Sequence, residues 1–199
     1  GCASGEEAYS VAILLREYME TLAVVPHVQV FATDIDAQAL ETARRGLYPA
    51  GIAAHVSPER LQRFFVQQEH PYQVTPELCL FATHSLIKDP PFARLNLIVC
   101  RNVLIYLGPD LQQKLMRLFH YALQPGGYLF LGPAESIAGQ HDLFRALEPP
   151  HRLFQKTGSL PPALVAFPLT DVRWPTPPGV VPESARFAAV RPFGQRLER

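Results

Sequence analysis

Residues 28–46 read VQVFATDIDAQALETARRG, a pattern that predicts a strand followed directly by a helix. Residues 28–33 form a short, β-branched and mostly apolar run, as strands buried in a parallel sheet do. Asp34 stands at the carboxyl end of this predicted strand. The helix is predicted over 36–45, with Asp36 as its N-cap and the following glycine as its C-terminal stop.

Further helices and strands alternate on both sides of this unit. A helix is predicted over 6–23, where apolar side chains recur at spacings of three and four. The later predicted elements are a helix over 57–67, a strand over 95–100, a helix over 110–123, and strands over 128–131 and 152–155. Strands that alternate with helices predict a doubly wound α/β sheet.

Two parts of the chain break this alternation. Short extended runs at 72–74 and 78–83 flank the sequence Thr75-Pro76-Glu77 and predict a small β-hairpin subdomain at 72–83. Residues 157–199 are rich in proline, which predicts a flexible tail or linker after a domain over 1–156.

The chain opens on a loop with Gly1 and Gly5 ahead of the first helix. A preceding strand ordinarily holds such a loop, so we expect the sequence to be a fragment that lacks its first strand. The helix start offers free N–H groups to an anion, but Glu6 and Glu7 disfavour pyrophosphate and favour a ligand with an ammonium or sulfonium group. A purely structural turn is the alternative.

Polar side chains also follow the predicted strands, where doubly wound sheets bind their ligands. Asp34 can accept both hydroxyls of a ribose there, although a helix cap is its alternative role. Arg101 and Asn102 follow the strand over 95–100, and the alternative for Arg101 is an ion pair with a nearby acid. Tyr106 either contacts the ligand or belongs to the core.

Composition disfavours several classes of protein. The 199 residues carry a formal net charge of zero, unlike most nucleic-acid binders. No apolar run approaches the roughly 18 residues that span a bilayer, and no secretory signal is present. Three scattered cysteines fit neither a disulfide framework nor a metal site. We therefore expect a cytoplasmic protein with no membrane insertion and no bound metal.

Taken together, these motifs resemble the CheR-type family of chemoreceptor glutamate methyltransferases. The matching segments are GCASGEEAYS at 1–10, ATDID at 32–36, DPPF at 89–92, CRNVLIYL at 100–107 and QPGGYLFLG at 124–132. The resemblance covers residues 1 to about 156. It implies a Rossmann-like sheet that binds S-adenosylmethionine, and methyl transfer to receptor glutamates that gives methyl esters.

The resemblance also implies a cofactor site at the strand ends. The opening loop would hold the methionine part, with Glu6 or Glu7 near its amino group, and Asp34 would take the ribose. The pair Ser85-Leu86 would border the adenine, although the family commonly has Asn at the first of these positions. The implied cofactor-binding residues are Gly1, Gly5, Glu6, Glu7, Asp34, Ser85, Leu86, Cys100, Arg101 and Asn102.

The implied reaction makes few demands on the protein. Arg101 and Tyr106 would face the reacting centre as the catalytic residues. A glutamate carboxylate, with a pKa of about 4.3, is already a nucleophile at neutral pH, so no general base or metal is needed. The implied partners are the cytoplasmic domains of chemoreceptors, with fused or linked signalling domains. The family's N-terminal helical domain is missing from this sequence.

Two other functions stay open at this point. One is a truncated, non-catalytic scaffold or a module that senses S-adenosylmethionine within a larger signalling protein. The other is an NAD-type oxidoreductase, which the absence of a third glycine from the opening loop and the Glu6-Glu7 pair disfavour.

Overall fold

The structure is a computed structural model, which describes residues 1–67, 72–74, 79–158 and 169. The described residues belong to one unit of the chain, Gly1–Leu169. The predicted tail over 157–199 lies outside the described residues except at 157, 158 and 169, and stays a prediction.

Helices and strands alternate along most of the described chain. Its helices are Glu6–Met19 (α1), Ala37–Arg45 (α2), Pro58–Phe64 (α3) and Pro109–Ala122 (α4). Its strands are Val30–Asp34 (β1), Leu47–Tyr48 (β2), Phe65–Gln67 (β3), Tyr72–Val74 (β4), Cys79–Thr83 (β5), Leu95–Cys100 (β6), Leu123–Leu131 (β7), Phe144–Glu148 (β8) and Leu153–Lys156 (β9). Short 3₁₀ turns occupy Ala50–Ala54, Leu104–Tyr106 and Pro149–His151.

Capping residues fix both ends of α2 and the start of α3 where the sequence predicts them, whereas α1 ends at Met19 and not at 23. Asp36 accepts hydrogen bonds from two backbone N–H groups of the first turn of α2, at 2.8 and 3.1 Å. Gly46 ends this helix in the left-handed conformation, with a φ of 61°. Ser57 caps α3, but this helix ends at Phe64 and not near 67, because 65–67 pair as β3 with β4.

The larger strands form two groups. β1 and β5 pair in parallel, with Ala32 opposite Phe81 and Asp34 opposite Thr83. The second group has the order β6-β7-β9-β8, in which β6 and β7 are parallel and β9 is antiparallel to both of its neighbours. The parallel strands and the connecting helices confirm the predicted α/β fold. The sequence gives no prediction of β8.

A gap separates the two groups of strands. Among the described strands, β1 is hydrogen-bonded only to β5, and β6 only to β7. A cavity of about 570 Å³ is lined by residues 27–33 on one side and 91–101 on the other, with side chains of α1 and α4 completing its wall. One buried cluster packs α1 against β1 and β5, and the other packs α4 against β6 to β9.

A separate sheet of three short strands has the order β2-β4-β3 and is antiparallel throughout. The predicted pairing of 72–74 with 78–83 is therefore wrong. β4 pairs with β2 and β3, whereas β5 joins β1, because its buried Cys79 and its Phe81 pack with α1 in the core beside β1. The small β-subdomain exists, but 47–48 and 65–67 supply its other two strands. The predicted turn at 75–77 lies outside the described residues.

Candidate functional site

The opening loop enters α1 through a backbone conformation that favours glycine. Gly5 has a φ of 91°, and a Cβ added there would lie 2.8 Å from the Cβ of Ala43 on α2. The loop is tied to β1, since the N–H of Cys2 donates to the carbonyl of Thr33 at 2.9 Å. The amino group of Gly1 donates to the same carbonyl at 2.6 Å. The first turn of α1 therefore lies beside the carboxyl end of β1.

Asp34 lies where the opening loop meets β1. Its carboxylate accepts hydrogen bonds from the backbone N–H groups of Ala3, at 2.8 Å, and Asp36, at 3.0 Å. Burial raises the pKa of Asp34, but these bonds and the positive amino group of Gly1 outweigh it and hold the pKa below its usual value. The ionised carboxylate keeps unused acceptor positions, because it offers about four lone pairs. Its side chain is 14% exposed, so a ligand hydroxyl can reach it.

The two glutamates that follow the loop point to different partners. Glu6 accepts a hydrogen bond from the hydroxyl of Ser4 at 2.7 Å, next to the loop itself. Glu7 forms an ion pair with Arg101, in which Nη1 and Oε2 are 2.9 Å apart. The open possibility that Arg101 pairs with an acid is therefore confirmed. This pair joins the start of α1 to the end of β6, across the gap in the sheet.

Arg101 has further contacts at the end of β6. The carbon centre of its guanidinium lies 5.1 Å from the ring centroid of Phe130, a cation–π arrangement. Its Nε is buried and has no hydrogen-bond partner among the residues that the structure describes. The side chain as a whole is 31% exposed. Arg101 is thus held from two sides and still has a donor to offer to a bound acceptor.

The segment after Arg101 has an unusual backbone. Asn102 adopts a left-handed conformation, with a φ of 59°. A 3₁₀ turn over Leu104–Tyr106 follows, in which Leu104 is buried. The side chain of Tyr106 is 81% exposed, so the alternative that it belongs to the core is wrong. An exposed phenol at this position is free to contact a large substrate.

Cys100 lies at the last position of β6 and is 5% exposed. Burial raises the pKa of its thiol to about 12, with a smaller contribution from the charge of Glu135. The thiol is therefore neutral at physiological pH and is not a nucleophile. Cys100 can line the floor of a site with its backbone and its apolar surface.

The segment after β5 lies next to Asp34, because the N–H of His84 donates to the carbonyl of Asp34 at 2.9 Å. Ser85 uses its polar groups within its own turn. Its N–H donates to Asp89 at 2.7 Å, and its hydroxyl accepts from the N–H of Lys88 at 3.2 Å. Leu86 lines the cavity between the strand groups. The segment offers an apolar side chain at the place where an adenine was expected.

Glu135 is the part of this region that sequence reasoning missed. It is 3% exposed and accepts hydrogen bonds from the backbone N–H groups of Val103, Leu104 and Gly132. It therefore joins the segment after β6 to the turn after β7. The available signal was topological, since β7 is parallel to β6 and its carboxyl end lies at the same edge of the sheet.

The structure gathers most of the candidate residues at one edge of the sheet. The large cavity itself runs along the strands, and its lining includes Gly1, Glu7, Leu86, Cys100 and Arg101 but not Asp34 or Tyr106. The region is rich in carboxylates around a glycine turn, and it contains one buried donor, the Nε of Arg101, that finds no partner within the described parts of the chain. These acceptors and this donor fit a nucleoside that carries a positively charged sulfur and an amino-acid tail.

Two further features concern the described residues only. No three His, Cys, Asp or Glu side chains among them are grouped so that they could hold a metal ion. None of their helices combines the length and the apolar character that crossing a membrane requires.

Several known proteins similar to this chain are named as methyltransferases. A family model described as CheR methyltransferase, SAM binding domain, matches residues 1–153. The chain is 36% identical over 149 residues to a chemotaxis protein methyltransferase of Escherichia coli, which covers 68% of this chain and 50% of that protein. It is 35% identical over 170 residues to a putative methyltransferase of Pseudomonas putida, covering 79% of this chain and 61% of that protein.

Another relative is much longer. An uncharacterised 104.1 kDa protein of Rhodobacter capsulatus is 40% identical over 198 residues, which are 96% of this chain and 20% of that protein. The chain spans about half the length of the curated chemotaxis methyltransferases that it matches.

Proposed function

Because the chain belongs to the CheR methyltransferase family and matches its domain that binds S-adenosylmethionine, we propose that the protein is a protein-glutamate O-methyltransferase. Its substrates are glutamate side chains in the cytoplasmic domains of chemoreceptors, and its products are glutamate methyl esters. It acts in the cytoplasm during chemotactic signalling. The observation that supports this proposal most is the meeting of the ionised Asp34, the Gly5 turn and the Glu7–Arg101 pair at one edge of the sheet.

Each of these groups has a role in binding the methyl donor. Asp34, held ionised by backbone N–H groups, accepts the ribose hydroxyls. Gly5 lets the backbone approach the methionine part closely, and Glu6 or Glu7 lies near its amino group. Leu86 borders the adenine beside the backbone of Ser85. The segment 100–102 forms the floor, and the Nε of Arg101, which no described residue accepts from, is a donor there.

The reaction needs alignment more than acid–base chemistry. The bound methyl donor supplies an activated methyl group and its own leaving group, S-adenosylhomocysteine. When bound, the donor would pass this methyl group to a carboxylate oxygen of the substrate, and both electrons of the broken carbon–sulfur bond would stay on sulfur. The substrate is already anionic at neutral pH, so the protein has to orient it and exclude water. In this proposal, Arg101 and Tyr106, which both follow β6, orient the substrate carboxylate.

A second function is supported by the relative from Rhodobacter capsulatus. There the matched segment is 20% of a 104.1 kDa protein, so a domain of this kind occurs within a much longer chain. In such a setting, the domain senses S-adenosylmethionine or serves as a scaffold and does not transfer the methyl group. Fused or linked signalling domains are part of this alternative.

Binding and transfer are separated by two measurements on the 199-residue chain. Calorimetric titration with S-adenosylhomocysteine tests binding, with Asp34→Ala as the variant expected to bind more weakly. Incubation with tritiated methyl donor and a receptor cytoplasmic fragment tests transfer, because glutamate methyl esters release their label in base. Binding together with base-labile label supports the enzyme. Binding without label favours the sensing module. The absence of binding contradicts both the enzyme and the sensing module and favours the non-catalytic scaffold.

A further inference from the structure

Glu135 is an acidic side chain inside the protein, next to the proposed reacting centre. It lies in the turn after β7 and is 3% exposed. A carboxylate at such a depth destabilises the fold unless hydrogen bonds satisfy it. The hydrogen bonds that Glu135 accepts come from two different segments of the backbone, so this side chain joins the two segments.

One oxygen of Glu135 serves the segment after β6. Oε1 accepts hydrogen bonds from the N–H groups of Val103 and Leu104, each at 2.8 Å. These N–H groups are at the start of the 3₁₀ turn that carries Tyr106, and a helix start leaves such donors without partners in its own backbone. The N-cap of the turn, Val103, has no side-chain cap of its own. Glu135 supplies the missing acceptor from another part of the chain.

The other oxygen of Glu135 serves the turn after β7. Oε2 accepts from the N–H of Gly132 at 2.7 Å. At Gly132, an added Cβ would lie 2.7 Å from this oxygen and 3.1 Å from the backbone nitrogen of Asn102. The two segments therefore approach each other more closely than a side chain would allow, and Asn102 meets this approach in a left-handed conformation.

We infer that Glu135 is a positioning residue for the proposed methyl transfer: its carboxylate fixes the segment between Arg101 and Tyr106 against the turn after β7. This inference rests on the proposed function. Arg101 precedes the anchored N–H groups and Tyr106 follows them, so the anchor determines where both side chains meet the carboxylate to be methylated. Glu135 itself does not touch the reacting atoms.

The geometry requires a carboxylate at this position. An amide has only one accepting oxygen, whereas each oxygen of Glu135 accepts at least one N–H group. In Glu135→Gln, the amide oxygen can serve either the Val103 side or Gly132. Its NH₂ group then faces a donor on the other side, so one of the two segments is released.

The test compares Glu135→Gln with the unaltered chain in two assays. Amide hydrogen exchange by NMR measures how well the anchored N–H groups are protected. We expect exchange at Val103, Leu104 and Gly132 to be at least about tenfold faster in the variant. Methyl transfer to a receptor fragment reads the consequence. We expect turnover to fall about 100-fold, as a displaced catalytic segment can cause, while affinity for S-adenosylhomocysteine changes by less than about threefold.

Two control variants separate positioning from a general loss of stability. Phe154→Leu weakens the same buried cluster away from the anchored segment. Its turnover is compared with that of Glu135→Gln, each variant being assayed at a temperature equally far below its own midpoint of unfolding. Glu41→Gln changes an exposed glutamate on α2. Unchanged exchange at the three amides in Glu135→Gln, or an equal loss of turnover in Phe154→Leu, would overturn the inference. If the unaltered chain transfers no methyl group, the proposed function fails, while hydrogen exchange still decides whether the anchor exists.

Discussion

The two groups of strands carry acidic residues that differ in their access to solvent, since the side chain of Asp34 is 14% exposed and Glu135 is 3% exposed. Beside β1, Asp34 is anchored by backbone N–H groups but keeps access to solvent and unused acceptor positions. Beside β6 and β7, Glu135 is anchored in the same way but is almost completely buried. A carboxylate of the first kind can bind a ligand, whereas one of the second kind can only organise its neighbours. We therefore expect the β1 side to govern cofactor affinity and the β6 side to govern methyl transfer.

Removing Arg101 tests the β6 side and should have the largest effect. Arg101→Ala removes the partner of Glu7 and the donor that we propose faces the reacting centre, so we expect turnover to fall by about 10²–10³-fold, as when one stabilising donor is lost. Affinity for S-adenosylhomocysteine should change much less. Steady-state kinetics and calorimetry measure the two quantities. Arg16→Ala, on an exposed part of α1, is the control, and equal losses of turnover and affinity in Arg101→Ala would make it a plain binding residue.

Removing Asp34 tests the β1 side. Asp34→Ala should weaken binding of S-adenosylhomocysteine by roughly 1–3 kcal/mol, because the ribose hydroxyls lose their acceptor in a partly buried site. The matched control is Asp36→Ala, two positions away, which removes the cap of α2 and should cost about 1 kcal/mol of folding stability while affinity is retained. If Asp34→Ala retained its affinity for S-adenosylhomocysteine as Asp36→Ala does, Asp34 would not belong to the cofactor site.

A substitution at Gly5 tests whether the opening loop has to keep its shape. In Gly5→Ala, the added Cβ meets Ala43 and the left-handed backbone is strained, so we expect the free energy of unfolding to fall by about 1–3 kcal/mol. Urea unfolding monitored by circular dichroism gives this value. Gly51→Ala is the control, because its Cβ would meet no atom within 4 Å. Equal stabilities of the two variants would contradict the close approach of the loop to α2.

The smallest effect is expected at Tyr106. Because its side chain is 81% exposed, Tyr106→Phe should leave folding stability unchanged within about 0.5 kcal/mol. Turnover should fall about fivefold to tenfold if the hydroxyl donates one hydrogen bond during transfer, which corresponds to about 1 kcal/mol. Parallel kinetics on Tyr121→Phe, an exposed tyrosine of α4, provide the comparison. A loss of affinity as large as the loss of turnover would place Tyr106 in cofactor binding.

Local signals in the sequence were sufficient for the larger elements. Asp36, Gly46 and Ser57 act as the helix caps that their residue types predict, because a cap depends on neighbours within a few positions. The apolar and β-branched runs that end in Asp34 and Cys100 form strands because such residues favour the pleated backbone and the partial burial that both strands have. These strand ends, in turn, placed Asp34 and Arg101 at one edge.

The features that the sequence did not predict depend on distant partners. β2 and β3 have two and three residues, which is too short for a recognisable period, and each becomes a strand only because β4 lies beside it. β5 pairs with β1 because both strands pack against α1, although the extended run nearest to β5 in the sequence is β4. Glu135 is separated by more than 30 positions from the N–H groups of Val103 and Leu104, so no local pattern indicates its role.

The gap between β1 and β6 has a consequence for the behaviour of the chain in solution. Among the described strands, each of these two is paired on one edge only, and its other edge lies beside apolar side chains; unpaired strand edges are templates for strand addition. We expect concentrated solutions of the 199-residue chain to self-associate, with light scattering that rises more steeply than concentration. An extended apolar segment that filled the space between β1 and β6 would form hydrogen bonds with both edges and prevent this association.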